Sequence, residues 1–379
     1  MARLFRALLP ALVVVAVAAF YAHARNDFET VYRSQEHAFG LEVVSDGLEN
    51  PWGLAFLPEG RALVTERPGR LSLVDIRTGK RTRIQGLPKI TTGGQGGLLD
   101  VAIHPEFAGN GWVYLSYVAA LGGGTSTHVG RGRLEGEHLQ DFEVLFKAEP
   151  FGTEAKHFGS RLIFDREGHL FISLGDRGER LRAQKLADHN GSLIRLNADG
   201  SIPKDNPFVD RDDAKPAIYS YGHRNIQGMA LHPQSGQLWL NEHGPRGGDE
   251  INIPQAGKNY GWPLITYGRE YHGPSIGPAE KPGLEQPIYQ WTPSIAPSGM
   301  AFYTGEAFPR WRGNAFVGAL ALTHLNRLTL EGNKVVAEER LLDDAGLRIR
   351  TVAQGPDGLL YLLVDDRKGS LLRLRPVAE

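Results

Sequence analysis

Two nearby stretches of this chain, YGHRNIQG at Tyr221–Gly228 and NEHGPRGGDEINI at Asn241–Ile253, crowd polar side chains together with glycines and a proline. Guanidinium groups match planar carboxylates as paired donors. Arg224, together with Arg348, Arg350 and the amides of Gln95 and Asn225, therefore suits a small, planar, polyanionic ligand. Backbone carbonyls exposed at the Gly244–Pro245 turn offer hard oxygen ligands to Ca²⁺. His157, in AKHFGSRL, and Asp176, in SLGDRGERL, supply a general base and a carboxylate to orient it. Other chemistries lack their parts. GPRGGDE has no Lys–Ser/Thr pair and opens no helix, so it is no phosphate loop, and neither a serine nucleophile motif nor a zinc-binding histidine pair occurs. The chain holds no cysteine, which excludes thiolate metal sites and thiol nucleophiles. Taken one at a time these residues read as loop clamps or solvated strand edges. Their common placement is what singles them out.

That placement follows from a recurring phrase: an apolar strand, a Pro/Gly turn, a second apolar strand, then a glycine and a third strand. It begins at Pro51, Gly96, Gly159, Gln227, Ser298 and Arg350, as in GSRLIFDREGHLFISLGD and QGMALHPQSGQLWLNEHG. A small sheet cannot bury both faces alone, so copies must stack. Six copies predict an all-β, six-bladed β-propeller of four-stranded antiparallel blades. The competing reading is a β-sandwich with coincidental turn spacing. The singled-out residues flank the phrases, where loops converge at one end of a propeller's central channel.

Composition sets the remaining bounds. A chain of 379 residues with 41% hydrophobic residues, 22% charged residues and a net charge of −1 describes a globular protein without the basic face that nucleic acid requires. Arg3 and Arg6, the apolar run at Ala7–Phe20 and the small residues Ala22-His23-Ala24 lay out a secretory signal peptide over 1–24, cleaved after Ala24. The run is too short for a stable membrane span, which needs roughly 20 residues. Residues 25–379 then form one catalytic domain in the periplasm.

LGDRG, LNADGSIPKDNPF, GHRNIQGMA, EHGPRGGDEIN and NYGWP, in this order, make the chain resemble the soluble pyrroloquinoline-quinone (PQQ)-dependent sugar dehydrogenases, the aldose sugar dehydrogenase branch in particular. The likeness runs from about Leu48 to Pro376. It implies a propeller with PQQ held over the channel by Ca²⁺, oxidising aldoses to lactones. By the same resemblance, His157 removes the anomeric hydroxyl proton, Asp176 orients it, and Arg224 stabilises charge developing on the quinone as the hydride arrives. Gln95, Asn225, Arg348 and Arg350 then hold the cofactor, and the Gly244 and Pro245 carbonyls its calcium. Glu250 and Tyr260 match a second, structural calcium site, and Trp291 an aromatic near the substrate mouth. Electrons must leave to a separate acceptor, because no haem attachment motif is present. A monomer or weak dimer is expected.

One position departs from the family pattern. FVGALALTHLNRL has Ala321 where a lysine usually pairs with a cofactor carboxylate, and His324 is in the wrong strand phase to replace it. A charged hydrogen bond lost there costs about 1.5–3 kcal/mol. The alternatives are a lactonase-like hydrolase, for which Asp176 and Glu154 are the few channel carboxylates, and a non-catalytic binding propeller.

Overall fold

In the computed structural model, which describes residues 30–377, six antiparallel sheets succeed one another around a central channel. The innermost strands of the first five blades are Pro51–Leu57, Leu98–Ile103, Leu162–Phe164, Ile226–Leu231 and Pro297–Phe302. Ile349–Gln354 begins the sixth. Each falls at or within a few residues of a start of the recurring phrase, and the six-bladed architecture is as expected. Among the described residues no helix is long and apolar enough to cross a membrane.

The sixth blade is closed by the beginning of the chain. Ala38–Leu48 pairs antiparallel with Gly369–Pro376, from Phe39 opposite Pro376 to Leu48 opposite Gly369. Val31–Arg33 adds a fifth strand outside it. This joins the two ends of the ring through main-chain hydrogen bonds.

The core lies between blades rather than within them, because each blade is apolar on both faces. Leu63 and Leu71 of the first blade meet Val113 and Leu115 of the second, all fully buried. Trp239 and Ile251 of the fourth meet Ala315 and Val317 of the fifth in the same way. Near the axis the backbones come so close that a Cβ on Gly53 would collide with Asp100 of the next blade.

Midway along the channel Arg161 ties the ring together. Its Nη1 lies 3.3 Å from Asp100 Oδ1, its Nε donates to the Gln227 carbonyl at 2.7 Å and its Nη2 to the Arg350 carbonyl at 2.8 Å. The guanidinium also sits 4.0 Å over the Trp52 ring. Burial pushes Arg161 down to about 10 and raises the Asp100 carboxyl; the pair is supported by neighbouring blades, Arg161 donating also to Thr351 Oγ1 and Asp100 accepting from the Leu162 N–H.

Candidate active site

In an antiparallel blade the start of the first strand and the end of the second lie at the same end. That rule gathers the sequence-predicted residues. Gln95, His157, Arg224, Asn225 and Arg348 precede first strands, and Asp176, Gly244 and Pro245 follow second strands. They meet at one mouth of the channel around two adjoining cavities of about 340 and 840 Å³ that share Gln95, His243, Ala296 and Ala321 in their walls.

His157 sits at a tight turn with φ of 52°, a left-handed conformation uncommon for a non-glycine residue. Its N–H donates to Gln95 Oε1 at 2.7 Å, which holds the turn. The ring is oriented by Asp176: Nδ1 lies 2.7 Å from Oδ1, while Oδ2 accepts from Trp262 Nε1 at 2.7 Å and Oδ1 also from the Gly178 N–H at 2.7 Å. Burial works against the charge on Asp176, yet the hydrogen bond and charge of His157, with the Gly178 N–H, hold its carboxyl below the usual range. Burial pushes His157 below its ordinary value against the opposing pull of Asp176. With Nδ1 committed, Nε2 is the nitrogen left to take a proton.

Arg224 packs its guanidinium 5.3 Å from the Trp262 ring and donates from Nη1 to the His243 carbonyl at 3.1 Å, while its buried Nε has no partner. Its backbone N–H is fixed by Glu242 Oε2 at 2.6 Å. His243 donates from Nε2 to the Pro297 carbonyl at 2.8 Å; burial, then the neighbouring Arg224, pushes it down to about 3, so the ring is neutral. Asn225 Oδ1 accepts from the Gly159 N–H at 3.1 Å.

The smaller cavity is walled by Arg348 and Arg350, as expected, and also by Arg67, Trp52 and Asp365, which the sequence reading missed. Arg350 is 8% exposed, pairs through Nη2 with Asp365 Oδ2 at 2.7 Å and donates from Nη1 to Gln227 Oε1 at 3.0 Å, leaving Nε buried without a partner. Arg348 donates to the Leu320 carbonyl at 2.7 Å. Three guanidinium groups thus face one carboxylate, an arrangement suited to an anionic ligand. Arg67 and Asp365 could have been found by the rule that places Asp176, since each follows the second strand of its blade. Ala321 stands in both cavity walls, whereas His324 is buried in the connection between two strands, its Nδ1 3.1 Å from the Leu322 carbonyl.

The larger cavity contains His157, Arg224 and the Gly244–Pro245 turn. Among the described residues no donor reaches either carbonyl of that turn, so both are available to a cation. A Cβ on Gly244 would strike the Gly247 and Gly248 carbonyl oxygens, so this turn accepts only glycine. Asp249 fixes the loop: Oδ1 accepts from the Gly244 N–H at 2.8 Å and Oδ2 from Ser294, Ile295 and Ala296. Asp249 is therefore spent on the protein itself, and only its neighbour Glu250 remains for an ion.

Glu250 and Tyr260 do meet, in a small void of about 10 Å³ that Glu242 also lines. Burial, then repulsion from Glu242, pushes Glu250 up to about 8. Asn252 donates to both carboxylates, at 3.2 and 3.3 Å, and its own Oδ1 is buried without a partner. Two carboxylates around a one-atom void fit a hard cation.

Trp291 is not at the mouth. It is 4% exposed in the core between the fourth and fifth blades, its Nε1 donating to Glu338 Oε1 at 3.2 Å. Alternation turns it inward, and the cavity wall is built instead by the next residues, Thr292, Pro293 and Ser294, with Tyr267 and Tyr271 opposite. No carboxylate lines the larger cavity among the described residues, and Asp365 in the smaller one is ion-paired. Among the described residues these two cavities therefore offer no carboxylate cluster for a metal.

Residues 48–373 match the family described as glucose/sorbosone dehydrogenase. The chain is 47% identical over 344 residues to the aldose sugar dehydrogenase of Escherichia coli strain K12, covering 89% of this chain and 92% of that protein. A crystal structure of a glucose dehydrogenase superposes with a TM-score of 0.86 at 52% identity, covering 89% of this chain and 99% of that one. The PQQ-bound form of the aldose sugar dehydrogenase of Streptomyces coelicolor does so with 0.74 at 29%, covering 89% and 98%.

Proposed function

Because the chain belongs to the glucose/sorbosone dehydrogenase family, we propose that it is a PQQ- and calcium-dependent dehydrogenase that oxidises the anomeric carbon of aldose sugars to lactones. The observation that carries this reading is the His157–Asp176 pair, a neutral base at the wall of a cavity that also holds Arg224 and the Gly244–Pro245 carbonyls.

The donor set fits the quinone. Arg67, Arg348 and Arg350 would take its carboxylates, Gln95 and Asn225 would contribute amide contacts, and the unpartnered Nε atoms of Arg224 and Arg350 mark unmet hydrogen-bonding capacity. Gly244 and Pro245 would hold the calcium at the quinone, and Glu250, with Glu242 and Tyr260, a second, structural ion. When bound, the quinone supplies a two-electron acceptor and the calcium a Lewis acid.

His157 Nε2 takes the proton of the anomeric hydroxyl as the C1–H bond breaks and the lactone C=O forms. Asp176 keeps the Nδ1–H tautomer in place and stabilises the imidazolium that results. Arg224 would offer its positive charge to the negative charge that builds on the hydride acceptor.

The same reading places the mature enzyme in the periplasm, cleaved after Ala24, with electrons leaving to a separate acceptor; the leader lies outside the described residues. Reconstitution tests the function directly. Apoprotein given PQQ and Ca²⁺ should reduce a dye when an aldose is added, and should do so with neither component alone. Failure to bind PQQ, or binding without any sugar-dependent dye reduction, would overturn it.

A further inference from the structure

Two loops of the fourth blade that wall the larger cavity carry an arrangement that the reaction on a neutral sugar does not use. Arg246 and Arg269 form an isolated antiparallel bridge, Arg246 donating its N–H to the Arg269 carbonyl at 3.1 Å and Arg269 returning one at 3.3 Å. Residues directly opposite in such a pair place their side chains on the same side, and like charges there repel. Both side chains are exposed and line the cavity that holds His157. Neither has a carboxylate partner among the described residues: the one contact of Arg246 is a long 3.4 Å approach to the Tyr271 carbonyl. Glu270, next in sequence to Arg269, is taken by Arg180 at 2.7 and 3.2 Å. Among the described residues no acidic side chain lines this cavity to offset the two charges.

The arginines suited to the cofactor's carboxylates, Arg67, Arg348 and Arg350, line the other cavity. Arg246 and Arg269 line only the larger one. Beside them stand Tyr267 and Tyr271, 39% and 58% exposed, whose ring faces suit the C–H face of a pyranose. A paired guanidinium site bordering an aromatic wall and a base for the anomeric hydroxyl fits a sugar with a negative charge remote from C1.

We propose that Arg246 and Arg269 form an anion subsite of the substrate cavity, and that the preferred substrates are aldoses bearing a carboxylate or phosphate at the end away from C1. The inference rests on the dehydrogenase reading, since the subsite selects which aldose presents C1 to His157. The oxidation is unchanged: a hydride and a proton leave the anomeric C–H and O–H, the lactone carbonyl forms, and the quinone is reduced.

The test compares D-glucose, D-glucuronate and D-glucose 6-phosphate, using holoenzyme with a cationic dye as acceptor and calorimetric binding to the calcium-loaded protein. At least one anionic sugar should exceed glucose about tenfold in kcat/KM and in affinity, and the better of the two identifies the carboxylate or the phosphate as the source. In the double variant R246Q/R269Q, both ratios of anionic sugar to glucose should fall by about tenfold or more. Glutamine keeps the exposed surface polar, and an unchanged unfolding midpoint checks the fold. Glucose oxidised as well as or better than both anionic sugars overturns the proposal, as does a preference that survives in the double variant. A double variant that loses quinone affinity in direct titration while all three sugars suffer equally assigns the pair to the cofactor and also overturns it. Absence of oxidation of every sugar by quinone-loaded protein refutes the dehydrogenase reading instead, and the calorimetric ratios then decide the anion subsite by themselves.

Discussion

Replacing Arg350 with alanine separates what this residue does for the fold from what it does for a ligand. In the parent, Arg350 neutralises Asp365, whose side chain is 9% exposed. Without it, Asp365 keeps Asn50 Nδ2 at 3.0 Å, the distant Arg348 at 3.8 Å and the charge of Arg67. Removing one partner of a buried pair costs about 3–5 kcal/mol. The adjoining cavity admits water to Asp365, so the low end, about 3 kcal/mol, is expected. The pH dependence follows from the carboxyl. Burial opposes its charge, but Arg350 holds it below the usual range, so its contribution is present above the unfolded-state value and lost as pH falls through the folded one. The stability gap between parent and Arg350→Ala should therefore narrow with acidification. Quinone affinity should fall by the loss of a charged hydrogen bond, about 1.5–3 kcal/mol or roughly 10- to 100-fold. Urea unfolding of the apoprotein reads the first effect, and quenching of Trp52, in the cavity wall, reads the second. The double variant Arg350→Ala/Asp365→Asn should regain most of the stability and none of the affinity. Unchanged quinone affinity in Arg350→Ala, or recovery of both properties in the double variant, would refute the reasoning.

Substituting His157 by alanine should lower turnover about 10²–10⁴-fold while direct titration shows quinone affinity within a few-fold of the parent. Since burial lowers His157 below its ordinary value and the base must be neutral, kcat/KM should be flat near pH 7 and decline only below about pH 6.5. Asp176→Asn removes a contribution that raises His157, so the acid limb should move lower still while turnover drops. Ala321→Lys adds a cation to the wall of both cavities and should tighten quinone binding about tenfold, measured by titration at fixed calcium. Glu250→Gln removes one of two mutually repelling carboxylates; calcium should stabilise this variant against heat less than it stabilises the parent, although the metal-free protein is no less stable.

The repeat is the part of this protein that its sequence fixes by local means. Alternation and turn residues depend on neighbours within about twenty positions, so the six phrases beginning at Pro51, Gly96, Gly159, Gln227, Ser298 and Arg350 announce six blades without any tertiary information. Gln95, His157, Arg224, Asp176 and Gly244 were legible for the same reason, because their offset from a strand end decides which mouth of the channel they reach. Pairings across the ring have no such local signature. Nothing in AFGLEVVSDGL names Gly369–Pro376 as its partner; ring closure decides it. Trp291 looked like a mouth residue from its motif, and strand phase within the folded blade turned it into the core. Trp262 behind Asp176 comes from the neighbouring blade, and the facing pair Arg246 and Arg269 from two different loops of the fourth blade. Which charges meet, and which are left without a partner, is set by how six sheets converge on one axis, and only the tertiary structure determines that.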